Sequence, residues 1–257
     1  MPIHSRSFQA FTVSGIPEVH PGDSLIQHVT TALEKAGEQL RNGDIVVVAQ
    51  KIVSKAEGRY LELSDVQPGM EALDWAEKTG KDPRLVQAIL DESACVLRWR
   101  PNLLVVEHVR GWVMANAGAD QSNIIGADGN RVLLLPKDPD ASAKNLRLGL
   151  EAHFGVRIGV VVADSVGRAW RVGTVGLALG ASGVRTVDDI RGKLDMQGRE
   201  LKVSIVGTGD EIAAAANMLI GEAAEGTPVA VLRGLNLLDD NQIGADLVRP
   251  SADDLFR

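Results

Sequence analysis

The sequence predicts an α+β protein in which mixed and antiparallel sheets are flanked by helices. Three observations lead there. Short apolar, β-branched runs, IVVVA at 45–49 and RIGVVVA at 157–163, read as strands buried on both faces. Between such runs lie segments whose apolar residues recur at helical spacing. The two kinds of segment follow no regular strand–helix alternation, so a doubly wound sheet is disfavoured.

The elements follow in order. Leu25, Ile26, Val29, Ala32, Leu33, Ala36 and Leu40 trace one face of a helix, with Asp23 or Ser24 placed to cap it. After the turn RNGD comes the strand 45–49, which ends where QKIVSKAEGR brings polar groups to its exit. Asp82-Pro83 opens a helix through Leu85, Ile89 and Leu90. Residues 103–118, LLVVEHVRGWVMANAG, read as two strands joined by a tight turn at Arg110-Gly111. RVLLLP is a further strand, KDPDAS a turn, and a helix runs from about Ser142 to His153 and stops at Gly155. The strand 157–163 is followed by VGTVGLALGASGV, where alternating small residues suggest a strand approached closely by other backbone. Thr208 and Glu211 form a capping box for a helix over 209–220, and VAVLRGL is the last strand.

Bulk properties bound the function. A chain of 257 residues can bury a substantial core as one large or two modest units. With 45% hydrophobic and 24% charged residues it is neither disordered nor fibrous, and at 4% aromatic its core must be aliphatic. The net charge of −7 argues against nucleic acid or anionic lipid as a partner. One cysteine, Cys95, excludes an internal disulfide and cysteine-rich zinc sites, and makes the cytoplasm the expected compartment. The N-terminus lacks a signal-peptide layout, and no apolar run approaches the roughly 20 residues that span a bilayer. Motifs for a P-loop, a GxGxxG turn and a GxSxG elbow are absent. The five histidines show no paired metal spacing, and the four tryptophans are too scattered for a base-stacking platform.

Three acids stand just beyond predicted elements: Asp120 after the strand 112–115, Asp164 after 157–163, and Glu222 after the helix 209–220. Carboxylates converging at element ends would make an oxygen-ligand site for magnesium or manganese, to which Ser165 could add a hydroxyl. Taken singly, an aspartate beside glycine or serine is more often a turn residue. Arg168 and Arg171, in a glycine-interrupted segment, either grip an anion with their guanidinium forks or are solvated strand arginines. Lys51 and Lys55 could meet phosphates at a strand exit, although surface lysines are commoner.

Six segments together resemble the coenzyme F420-0:L-glutamate ligase (F420 gamma-glutamyl ligase) family: GIPEV at 15–19, GDIVVVAQKIVSKAEGR at 43–59, NAGADQSN at 116–123, LLLPKDPDASA at 133–143, VVADSVGRAWRVGTVGLALGASGV, and DEIAAAANMLIGE at 210–222. They run in collinear order over nearly the whole chain. The resemblance implies a GTP-dependent ligase that joins L-glutamate to the lactyl carboxylate of the deazaflavin precursor coenzyme F420-0, and further glutamate through a γ-linkage. An acyl phosphate would be the intermediate, with GDP and phosphate released. It also implies two divalent cations, manganese or magnesium, an assisting potassium ion, and an intertwined homodimer whose subunit, 1–257, is a single unit that could divide into two subdomains. A chain ending at Arg257 leaves no room for the flavin-binding extension of some relatives.

Carried over position by position, the implied metal ligands are Asp120, Asp164, Ser165 and Glu222. The nucleotide would meet Ile16, Pro17, Glu18 and Val19, then Gln50, Lys51, Lys55 and Asn123, and the loop Ile220, Gly221, Glu222, Ala223, Ala224, Glu225, Gly226 and Thr227. Lys55, Arg168 and Arg171 would handle phosphate, acceptor or glutamate anions. The sequence departs from the family pattern at Ser165, where threonine is common, and at Gln50-Lys51, where small hydroxyl residues occur. Two other readings use the same residues: an amide ligase with a different acceptor, and a metal- and nucleotide-binding regulator without turnover.

Overall fold

The computed structural model describes residues 7–122 and 129–256. Its strands are β1 (Gln9–Thr12), β2 (Ile45–Ala49), β3 (Tyr60–Glu62), β4 (Ser93–Arg100), β5 (Leu103–His108), β6 (Val113–Ala115), β7 (Arg131–Leu133), β8 (Gly159–Gly167), β9 (Thr174–Ser182), β10 (Asp188–Asp189), β11 (Ile205–Val206) and β12 (Val229–Arg233). The α-helices are α1 (Leu25–Lys35), α2 (Gln50–Ala56), α3 (Met70–Thr79), α4 (Pro83–Asp91), α5 (Pro139–Phe154) and α6 (Thr208–Ile220). This is the mixed α+β arrangement expected.

The central sheet has the order β1-β12-β2-β8-β9, parallel only between β2 and β8. Alternation along its strands sends two apolar sets to opposite faces. Val46, Val48, Val160, Val162, Val229 and Val231 pack on Val29 and Leu33 of α1 and Leu146 and Leu150 of α5. Ile45, Val47, Val161, Ala230 and Leu232 pack on Ile212, Ala213 and Ala216 of α6. Each fully buried valine, leucine or isoleucine contributes about 1.5–3 kcal/mol. Beside the sheet, α3, α4 and the antiparallel β4-β5-β6 sheet enclose a separate cluster that includes Ile89, Leu104 and Val106.

Several sequence expectations are corrected. The predicted strand 157–163 does not stop at Asp164: β8 runs on to Gly167 because β9 supplies a ladder, pairing Asp164 with Leu177 and Gly167 with Thr174. The polar stretch after β2 is helix α2, whose Gln50, Ser54 and Lys55 are buried. Helix α1 ends at Lys35, leaving Leu40 outside it. Helix α5 starts at Pro139, since Asp138 accepts the Ala141 N–H at 3.1 Å and Pro139 opens the first turn. The capping box at Thr208 does not form, because Gly207 is the N-cap and Thr208 is already in the first turn. The small residues of β9 do mark a close approach: a Cβ on Gly176 would sit 2.4 Å from the Ala213 carbonyl oxygen.

Candidate functional site

A cleft of about 560 Å³ opens where the parallel pairing of β2 with β8 ends. Carboxyl ends of parallel strands are where open sheets place ligands, because the chain leaves the sheet there and frees polar groups. Chain from five places reaches this end: residues 16–19 after β1, the first turns of α2, Gln121, the Ala163-Asp164-Ser165 stretch of β8, and the loop 220–228 leading from α6 into β12. No described helix is long and apolar enough to cross a membrane.

One ammonium holds Asp120, and the charges of both act on Asp164. Lys51 Nζ lies 2.7 Å from Asp120 Oδ2 and 3.1 Å from Ser122 Oγ, while Ser122 donates its N–H and hydroxyl to Asp120 at 2.7 and 2.9 Å. Burial works to raise the Asp120 pKa, but Lys51 and the Ser122 donors outweigh it and hold the carboxyl below its ordinary value. Asp164 goes the other way. Burial, reinforced by the Asp120 charge, pushes it up to about 6, against partial relief from the Ser165 N–H, Lys51 and the Gln50 amide. A half-buried carboxylate within reach of a second one's charge is poorly stabilised as an anion, and a cation at the cleft would relieve it.

Lys55 is almost enclosed, its side chain 6% exposed, and its Nζ meets Glu18 Oε1 at 2.5 Å. Asn217 Nδ2 donates to Glu222 Oε1 at 2.7 Å, and the Ala223 N–H donates to Glu225 Oε2 at 2.8 Å. The lining thus carries Glu18, Asp164, Glu222 and Glu225 against Lys51 and Lys55. A polyphosphate entering so acidic a cleft needs accompanying cations, and hard oxygen donors suit magnesium or manganese.

The family model described as F420-0:Gamma-glutamyl ligase matches residues 15–234. The chain belongs to that family. Among curated relatives, the "Coenzyme F420:L-glutamate ligase" of Methanocaldococcus jannaschii is 44% identical over 85% of this chain and 86% of its own length. The proteins of the same name from Methanothermobacter thermautotrophicus and Haloarcula marismortui are 42% and 43% identical, covering 95% and 90% of this chain and 97% and 89% of theirs. As a family member the protein is an enzyme of the ligase class.

In this F420 gamma-glutamyl ligase family member, residues 16–19, 50, 51, 55, 164, 165 and 220–227 all line the one cleft. Asp120 stands just behind the lining and joins it through Lys51 and its neighbour Gln121. The three acids do not close on a point: among the described residues no three His, Cys, Asp or Glu side chains are grouped to hold one metal ion. Lys51 fills the space against Asp120, and Glu222 is turned to Asn217. Arg168 and Arg171 are outside the cleft lining, exposed on the β8–β9 turn. Asn123 lies outside the described residues. Sequence reading missed Asn217 and Ser122, which orient two of the acids; nothing in local spacing signals either, since each matters only through its partner's position.

Proposed function

We propose that this ligase uses GTP to join L-glutamate to the lactyl carboxylate of coenzyme F420-0, and then adds γ-linked glutamate. The supporting observation is the Asp120–Lys51 pair and the neighbouring Asp164, where the parallel pairing of β2 with β8 ends, in a cleft acidic enough to demand cations with a nucleotide. A carboxylate is a poor acyl donor because its leaving group would be oxide. Transfer of the γ-phosphoryl group of GTP to a carboxylate oxygen gives an acyl phosphate and GDP. The glutamate nitrogen then attacks the carbonyl carbon, the carbon–oxygen bond breaks with its electron pair on phosphate, and the nitrogen loses a proton.

Asp120, Asp164 and Glu222, with the Ser165 hydroxyl, would hold two divalent ions, magnesium or manganese, with potassium assisting. Bound there, such ions supply charge neutralisation and alignment of the phosphates. Lys51 would yield its place at Asp120 as they enter. Lys55 would exchange Glu18 for a phosphate oxygen, and the loop 220–227 would close over the nucleotide. Arg168 or Arg171 would orient an anionic part of the acceptor or of glutamate.

Purified protein given GTP, manganese, glutamate and coenzyme F420-0 should release GDP only when the acceptor is present, with product mass increased by glutamate. Nucleotide binding without acceptor-dependent GDP would overturn the ligase reading. The homodimer belongs to the same proposal. Leu194, Met196 and Val203, on the arm between β10 and β11, are exposed, as apolar residues awaiting a second copy would be. Light scattering should give twice the 27.4 kDa chain mass; a monomer at micromolar concentration would contradict it.

A further inference from the structure

β2 ends at Ala49, level with Ala163, but β8 and β9 continue beside it as a two-stranded projection through Asp164–Gly167 and Thr174–Leu177. Four paired residues extend it about 13 Å past the end of β2. Asp164 and Ser165 at its root line the cleft. Its tip, residues 168–173, carries Arg168, Trp170 and Arg171.

Two properties of Trp170 are unusual, and the arginines beside it add a third feature. Trp170 is 87% exposed, where tryptophan is usually largely buried. Its φ is +65°, a left-handed conformation that a bulky residue adopts at a cost and that tends to persist at functional sites. Arg168 and Arg171 form no ion pair or hydrogen bond among the described residues; Arg41, Arg98, Arg100 and Arg249 also lack an acid partner, but at the tip two such guanidiniums stand on either side of this exposed indole. In a protein of net charge −7, two free guanidiniums flanking a free indole form a local site for a ligand that is both aromatic and anionic.

We propose that the β8–β9 tip is the acceptor's docking platform: Trp170 stacks on the acceptor's planar ring, and Arg168 and Arg171 grip an anionic tether that leads the carboxylate back to Asp164 and Ser165. Trp170 thereby selects an aromatic acceptor, a role no part of the nucleotide cleft fills. The inference rests on the ligase reading, whose deazaflavin acceptor supplies such a ring. The distance along the projection suits an acceptor whose ring and carboxylate lie on the order of 10–15 Å apart.

Steady-state kinetics on wild type, Trp170→Ala, Trp170→Phe and Arg168→Gln/Arg171→Gln test it. Trp170→Ala should raise the KM for coenzyme F420-0 about tenfold or more, as loss of one stacking contact does, with the KM for GTP moved far less. Trp170→Phe should restore most of the loss, and the double glutamine variant should raise the acceptor KM and flatten its dependence on salt. An acceptor KM unchanged in Trp170→Ala overturns the inference and leaves the ligase reading intact. Absence of acceptor-dependent GDP release in wild type overturns the ligase reading instead. Titration with flavin mononucleotide, which has a ring and a phosphate but no carboxylate to activate, then decides: tryptophan quenching lost in Trp170→Ala supports the platform, and quenching that persists or never occurs in wild type sinks it.

Discussion

Asp164→Asn should lower kcat by at least about a hundredfold, the scale of losing a charged group that stabilises transferring phosphates, while making the protein more stable. The two effects share one cause. Burial and the Asp120 charge raise the Asp164 pKa to about 6, so the folded state holds this carboxylate less readily than the unfolded chain does. For an acid with a raised folded pKa, the stability present below the ordinary value of 3.8 is lost as pH rises through about 6. Removing the charge should therefore gain roughly 1–3 kcal/mol at pH 8, seen as a higher urea midpoint in chelator, and the gain should shrink as pH falls below 6. Divalent-ion affinity of the wild type should fall about tenfold per pH unit below pH 6, where a proton competes for the carboxylate, and that dependence should vanish in the variant. An asparagine variant with wild-type turnover would refute the cation-site assignment.

Asp44→Ala should cost about 3–5 kcal/mol, the loss incurred when a buried ion pair keeps only one partner. Asp44 is wholly buried just before β2, and its carboxylate accepts Arg233 Nε at 2.9 Å, Arg233 Nη2 at 2.8 Å and the Arg41 N–H at 2.8 Å. Arg233 ends β12 and its guanidinium lies over the Phe11 ring of β1 at 5.2 Å, so one ion pair ties three neighbouring strands. A fall in Tm on the order of 10 °C is expected by calorimetry. Asp44 is at the opposite end of β2 from the cleft, so the KM for GTP should stay near wild type wherever the variant is folded. A Tm within about 2 °C of wild type would show that the pair contributes little.

How much of this was legible in the sequence depended on the range of the interaction. The central strands were visible because β-branched runs buried on both faces leave an unbroken apolar signature. Helix α2 was not, because Gln50, Ser54 and Lys55 are polar residues placed inside, which inverts the usual pattern. β4 escaped because its ladder with β5 is irregular at Ser93/Cys95 and Val96/Arg98, which erases simple alternation. Helix α3 escaped because its N-cap, Gly69, has no side chain to announce the start. In the site, Asp120, Asp164 and Glu222 stood out as acids near element ends, although Asp164 proved to lie within a strand. The loop 220–227 and residues 16–19 were reachable only by family resemblance, since no local rule says that such distant segments meet. The Arg233–Asp44 pair, 189 residues apart, left no local trace.

The placement of β12 between β1 and β2 bears on how the molecule is made. During translation β1 emerges first yet has no sheet neighbour among the described residues until residues 229–233 leave the ribosome, because β12 is the strand it pairs with. The cleft floor is completed by the same late insertion, since Pro228 leads into β12 beside Ala49. If the cleft takes GTP as proposed, a nascent chain that lacks those residues offers it an incomplete site, so ligand would stabilise only a chain that has reached β12.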